Sequence, residues 1–230
     1  MRVVNTSHNP LRTHDALLTR GYREIVADGF PTDSGLVGWY RADNVTRDGN
    51  GNVIRMDNKK GGLSAIEAPL QPANYLSSGY NGHPLVQCDS ANNKFLKLER
   101  LLTSTPWSAL IATDTAAGKT LSYGGLKISC DSGTASVTLV DNTFTFTGDF
   151  SVFGTFIVVV GSTYLNAWYN DTHKLVDKSA SADYNSAQFG GASWSNISSV
   201  NFGEFKFFRN ALSDTDVTSE FNSINNFWES

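Results

Sequence analysis

Charge is scarce in this chain. Only 17% of its 230 residues are charged, against roughly 25% in an average soluble domain, and the longest basic run is Lys59-Lys60. With a net charge of −4 there is no cluster of cations to neutralise phosphates, which argues against nucleic acid as the main partner. Long hydrophobic runs are missing as well. No stretch approaches the roughly 18 apolar residues that cross a bilayer as a helix, so no membrane insertion is expected. The opening MRVVNTSHNPLRTHD lacks the apolar segment of a secretory leader, and synthesis in a reducing cytoplasm is the expectation. The two cysteines, Cys88 and Cys130, sit in alternating apolar runs and are expected as free core residues rather than a disulfide. The four histidines at 8, 14, 83 and 173 have no zinc-site spacing, and no G-x-S-x-G turn occurs to raise a nucleophilic serine.

What fills the space is short and polar: 25 Ser, 20 Thr and 20 Asn, with 20 Gly and 12% aromatics. Such side chains compete with helical hydrogen bonding and favour turns and strand faces, so the chain is expected to be all-β. From Leu36 onward short apolar-alternating runs recur between Gly, Asn, Asp and Ser, the pattern of a sandwich or barrel. Asp48-Gly49-Asn50-Gly51 reads as a hairpin turn. Val137/Leu139 and Phe144/Phe146 flank Asp141-Asn142 as a second hairpin. Further strands are expected near 84–89, 95–98, 108–112, 125–130, 155–161, 163–170, 173–178 and 200–208. The run Phe156–Val160 suits a central strand covered on both faces. One helix is expected, at the end, with Ser213 and Asp216 as a capping box, Leu212 and Val217 as a staple, and Val217, Phe221, Ile224 and Trp228 as its apolar stripe.

Several segments together resemble the concanavalin A-like, laminin G-like jelly-roll superfamily, in particular its stand-alone phage and bacterial modules. They are Leu36-Val37-Gly38-Trp39-Tyr40-Arg41-Ala42-Asp43, the Asp48–Gly51 turn, Asn81-Gly82-His83-Pro84-Leu85-Val86, Leu165-Asn166-Ala167-Trp168-Tyr169-Asn170, and Gly203 through Asp214 ending in Arg209-Asn210-Ala211-Leu212-Ser213-Asp214. Met56 and Cys88 stand where that group often has aromatic residues, both apolar exchanges. The resemblance implies a two-sheet antiparallel jelly-roll sandwich over 35–230 with a C-terminal helix. Some members of the superfamily hydrolyse glycosides, yet the Glu-x-Asp-x-x-Glu strand of the laminarinase-like branch is absent. The six Glu at 24, 67, 99, 204, 220 and 229 include no closely spaced pair, so no catalytic residues are expected.

Residues 1–34 fall outside the resemblance and read as an extended arm. Val3, Val4, Leu11, Leu17, Leu18, Tyr22, Ile25 and Val26 are too few and too irregular to bury a face alone, yet too many for a solvated tail. They are expected to dock the sandwich on a larger assembly, another copy of the chain included. Sugar binding needs aromatic faces with amides and carboxylates around them. The candidates are Tyr184, Asn185, Gln188, Trp194 and Asn196 in a Gly/Ser/Asn-rich loop between strands, with Tyr75 and Tyr80 flanking Ser77-Ser78-Gly79, which reads as a loop of the same kind; Trp39, Tyr40, Trp168 and Trp228 read as core. No cofactor is expected, although Asp48–Asn52 also admits reading as half a calcium loop, and Asp43, Asp89 and Asp171 are further oxygen donors. The expected role is a non-enzymatic, lectin-like structural or attachment module of a virion, a phage tail or capsid, presenting loops to a glycan or receptor. The alternatives are a free-standing extracellular or cell-surface carbohydrate-binding protein, and a glycoside hydrolase.

Overall fold

Alternating apolar positions from Leu36 onward leave each strand one face, or both, to bury, and a layered β structure is the outcome. The computed structural model describes residues 35–60, 66–67, 71–92, 94, 96, 106–114, 118–123, 126–139, 142–147, 153–161, 164–170, 172–177 and 200–230. All belong to the second of the two units into which the chain divides, Ser34–Ser230; the arm candidates from Val3 to Val26 lie outside the described residues. The first strands are β1 (Leu36–Arg41), β2 (Val45–Arg47), β3 (Val53–Met56), β4 (Ile66–Glu67), β5 (Asn74–Tyr80), β6 (His83–Cys88) and β7 (Trp107–Asp114). There follow β8 (Lys119–Tyr123), β9 (Leu126–Asp131), β10 (Thr134–Leu139), β11 (Asn142–Thr147), β12 (Phe153–Val160), β13 (Tyr164–Tyr169), β14 (Thr172–Asp177) and β15 (Val200–Phe208). The helix α1 spans Asp214–Trp228.

A large antiparallel sheet runs in the order β14-β13-β12-β7-β15-β6-β5, with β1 also pairing β15. Strand β12 is buried at every position, as the uninterrupted apolar run required. One face of this sheet, with Tyr40, Ile111, Phe156, Val158 and Phe205, shares a single buried cluster with Val53 and Met56 of β3 and with Ile128, Val137 and Phe144 of the sheet β11-β10-β9-β8. The second layer is therefore split, since β2-β3-β4 forms its own small sheet. After β3 the described chain bends at Lys59 and Lys60. On the opposite face, Leu110, Ala112, Ile157, Val159 and Phe208 pack with Leu212, Val217, Ile224 and Trp228 under α1.

Two local expectations need correcting. Ser77-Ser78-Gly79 reads as a loop, yet it lies within β5, because this edge strand tolerates an irregular register between Leu76 and Tyr80 and Leu85 sits where a side chain on residue 79 would be. The buried stripe of α1 is Val217, Glu220, Ile224 and Trp228, with Phe221 half-buried at its flank. Glu220 is turned inward by a cation. The expected strand at 95–98 lies mostly outside the described residues. Strand β8 carries few apolar markers and is not apparent from the sequence. The helix start is as expected: Ser213 Oγ accepts from the Asp216 amide at 3.2 Å and the Asp216 carboxylate accepts from the Ser213 amide at 3.1 Å.

The inward cation is Lys206 on β15. Its ammonium donates to Glu220 Oε2 at 2.8 Å and lies 3.7 Å from Glu204 Oε1, with all three side chains at most 2% exposed. Glu204 also accepts from two indoles, Trp39 Nε1 at 2.6 Å and Trp228 Nε1 at 3.1 Å. One carboxylate thus joins β1, β15 and the end of α1. Removing one partner from such a buried set leaves an uncompensated charge.

Lys206→Met is expected to lower unfolding stability by about 3–5 kcal/mol, read as a shift in the urea midpoint; an unchanged midpoint would mean that these charges are not paired in the folded state. Cys88 and Cys130 are free and buried, and burial pushes both thiols up to about 12. Because the reactive species is the thiolate, neither should take up iodoacetamide at pH 8 until the chain is unfolded, as mass spectrometry would detect.

Candidate functional site

The end of α1 is held by the β5–β6 hairpin. Asn81 and Gly82 both take positive φ, 47° and 81°, the conformation that Asn-Gly supplies to a tight hairpin turn. From that turn Asn81 Nδ2 donates to the Trp228 carbonyl at 2.9 Å, satisfying one of the carbonyls a helix end leaves open. The His83 ring lies 4.4 Å from Phe227 and 5.4 Å from Trp228. Trp228 lies over Gly203 of β15, where any side chain would overlap its indole. Phe153 sits between two other rings, 4.9 Å and 15° from Tyr80 and 4.9 Å and 38° from Trp228. Tyr80, half-buried, is the outermost of the three.

Beside this stack opens a cleft of 230 Å³. Its apolar wall is Tyr80, Phe153, Ile224 and Trp228, and its polar rim is Thr155, Asn170, Asn225 and Glu229. Asn170, at φ 48° in the turn after β13, is fixed on β12 from two sides: its amide donates to the Thr155 carbonyl at 2.9 Å, and its Oδ1 accepts from the Thr155 amide at 3.0 Å. Its carboxamide NH₂ remains as a donor. Glu229 and the C-terminal end of α1 place negative potential at the rim. A rigid aromatic wall facing one oriented donor and acceptor-rich groups suits a neutral polyhydroxylated ring: the apolar face packs on carbon and the hydroxyls meet amide and carboxylate. The volume is below the roughly 300–1,000 Å³ of sites for drug-sized ligands and takes a single ring-sized unit.

Of the residues singled out from sequence, Tyr80 lies in this cleft. Tyr75 does not: it packs against the main core, with the Arg47 guanidinium 4.7 Å from its ring centre. Tyr184, Asn185, Gln188, Trp194 and Asn196 lie outside the described residues. Trp39, Tyr40, Trp168 and Trp228 are core residues as expected. Phe153, Asn170, Asn225 and Glu229 escaped notice because nothing in their sequence spacing brings them together; the one available signal was Asn170-Asp171, a turn pair directly after an apolar strand.

Among the described residues, the carboxylates of Asp43, Asp48 and Asp89 considered for calcium are engaged within the chain. Asp48 Oδ1 accepts from the Asn50 and Asn52 amides at 2.9 and 2.8 Å, the expected hairpin turn, and the Asn52 amide above all holds its carboxyl below the ordinary carboxylate value. Burial works to raise Asp43, but Arg41 at 2.7 Å and Lys59 at 3.6 Å outweigh it and keep that carboxyl low. Asp89 accepts from the Ala91 amide at 3.0 Å, and Asp171 lies outside the described residues. Among the described residues no three His, Cys, Asp or Glu side chains group as a metal site.

No family model matches the sequence, and no curated protein does. In three dimensions the chain is similar to domain 4 of AbnA, a GH43 extracellular arabinanase from Geobacillus stearothermophilus in complex with arabinotriose, with a TM-score of 0.55 and 12% identity over 81% of this chain and 97% of that one. A GH54 α-L-arabinofuranosidase soaked with a cyclic sulfate inhibitor is similar at a TM-score of 0.55 and 12% identity, over 85% of this chain and 60% of that one. The botulinum neurotoxin serotype D binding domain is similar at a TM-score of 0.50 and 11% identity, over 83% of this chain and 51% of that one. This chain therefore spans about half of the neurotoxin chain and nearly all of the arabinanase domain. At such identities the shared property is the fold, an antiparallel β-sandwich.

Proposed function

We propose that residues 35–230 are a non-enzymatic, lectin-like jelly roll of the concanavalin A-like kind that takes a glycan unit in the cleft beside Tyr80. Residues 1–34 dock it on a larger assembly, a phage tail or capsid, in which several copies of the chain take part. The observation that carries the glycan reading is the meeting, at one rim, of a half-buried tyrosine with Asn170, Asn225 and Glu229. The similarity to an arabinanase domain in complex with arabinotriose supports it. Hydrolysis would need two carboxyl groups roughly 5–9.5 Å apart across the bond. Among the described lining residues the cleft offers Glu229 alone, which favours binding over cleavage. Tyr184, Asn185, Gln188, Trp194 and Asn196 are retained as a second contact patch.

Tyr80→Ala and Asn170→Ala are each expected to weaken glycan binding, the tyrosine by about 2 kcal/mol or roughly thirtyfold, on a glycan array and in titration calorimetry, with the β-sheet circular dichroism unchanged. Full retention by both variants would remove the cleft as the site. A chain beginning at Ser34 is expected to unfold with the transition of the full chain and to stay monomeric in light scattering, whereas the full chain associates. Normal association of the shortened chain would end the docking role of residues 1–34.

A further inference from the structure

The face of the large sheet that carries α1 also carries a polar row. Asn74 opposes Gln87, Gln87 opposes Asn201, and the pairing of Phe202 with Thr113 sets Asn201 opposite Asp114. Asp114 in turn opposes Phe153. These five residues form one rank across β5, β6, β15, β7 and β12, with strands about 4.8 Å apart. The rank is therefore about 19 Å long and ends at the aromatic wall of the cleft.

Its hydrogen bonds all point the same way. Lys94 Nζ donates to Asn74 Oδ1 at 2.7 Å, Asn74 Nδ2 to Gln87 Oε1 at 2.8 Å, Gln87 Nε2 to Asn201 Oδ1 at 3.0 Å, and Asn201 Nδ2 to Asp114 Oδ2 at 2.7 Å. A cation starts the chain and a carboxylate ends it, so each bond polarises the next. Every carboxamide spends one N–H and one lone pair on its neighbours and keeps one of each. Each residue of the row is half-buried rather than sealed in the core, although the Oδ1 atom of Asp114 at its end is itself buried. Strand pairing does not need them, because the backbone ladders already join β5, β6, β15 and β7. What the row adds is a line of amides whose orientations are fixed before anything binds, which removes the ordering cost of making hydrogen bonds to a ligand.

We propose that this row is an extended subsite that receives the successive sugar units of an oligosaccharide whose terminal ring occupies the cleft. The inference rests on the glycan reading of the cleft. A neutral polyhydroxylated chain fits, since the three amides between the terminal charges offer alternating donors and acceptors and no net charge.

The test uses the full-length protein on a glycan array that carries each structure from single sugars to hexamers. Wild type should bind long chains more tightly than single units. Gln87→Met, which keeps the length of the side chain and removes its amide, should weaken binding of long chains about three- to tenfold and leave single units unchanged; Tyr80→Ala should weaken all lengths. If Gln87→Met lowers the melting temperature markedly, Lys94→Met at the start of the row is read in its place with the same expectation. Wild-type affinities at every length in a folded row variant would overturn the subsite and leave the cleft standing. No binding of any glycan by wild type would overturn both.

Discussion

The carboxylate of Glu204 is the junction on which the rest of the sandwich depends. It sits on β15 in the middle of the large sheet, accepts from indoles at the two ends of the described fold, Trp39 and Trp228, and shares Lys206 with Glu220 of α1. A charge buried this deeply is costly unless every lone pair and proton in reach finds a partner. The bonds to Glu204 and Lys206 come together only when β1, β15 and α1 are all in place, which couples the docking of the three elements; within this cluster Glu220 Oε1 stays buried without a hydrogen-bond partner among the described residues. An apolar cluster alone would let α1 slide along the sheet. The two indole bonds and the Lys206–Glu220 contact admit one placement.

That placement is also what makes the cleft. With Trp228 anchored from below by Glu204 and from its carbonyl by Asn81, its ring lies over Gly203 and supports Phe153, which supports Tyr80. Stability and the proposed glycan site therefore share one aromatic stack, buried at Trp228 and half-buried at Tyr80. The polar row on β5, β6, β15 and β7 occupies the same face of the sheet. Apolar side chains there serve the helix, and amides take over where they line up with the cleft.

Much of the architecture is legible in the residue pattern. The alternation of β9 to β11, the double-sided burial of β12 and the capping box of α1 are local properties, decided by period and by side chains within a few residues of one another. The strand β5 was not legible, because Ser-Ser-Gly reads as a turn until Leu85 is known to need the space at Gly79. Nor was the inward face of α1: on helical period alone Phe221 is the better core residue, and Glu220 displaces it because Lys206, fourteen residues earlier, has to be neutralised.

Sequence by itself determined the all-β class, the terminal helix and its start, the turn at Asp48–Asn52, and the aromatic character of Tyr80, since each follows from composition, period or a short motif. Tertiary structure alone decided that Tyr80 faces Asn170 and Glu229, that Tyr75 turns the other way into the core, and that Asn74, Gln87, Asn201 and Asp114 form a single line. Those arrangements depend on which strands become neighbours and in what register. Register is set by how whole faces bury together, a sum over the sheet that no local stretch of the chain contains.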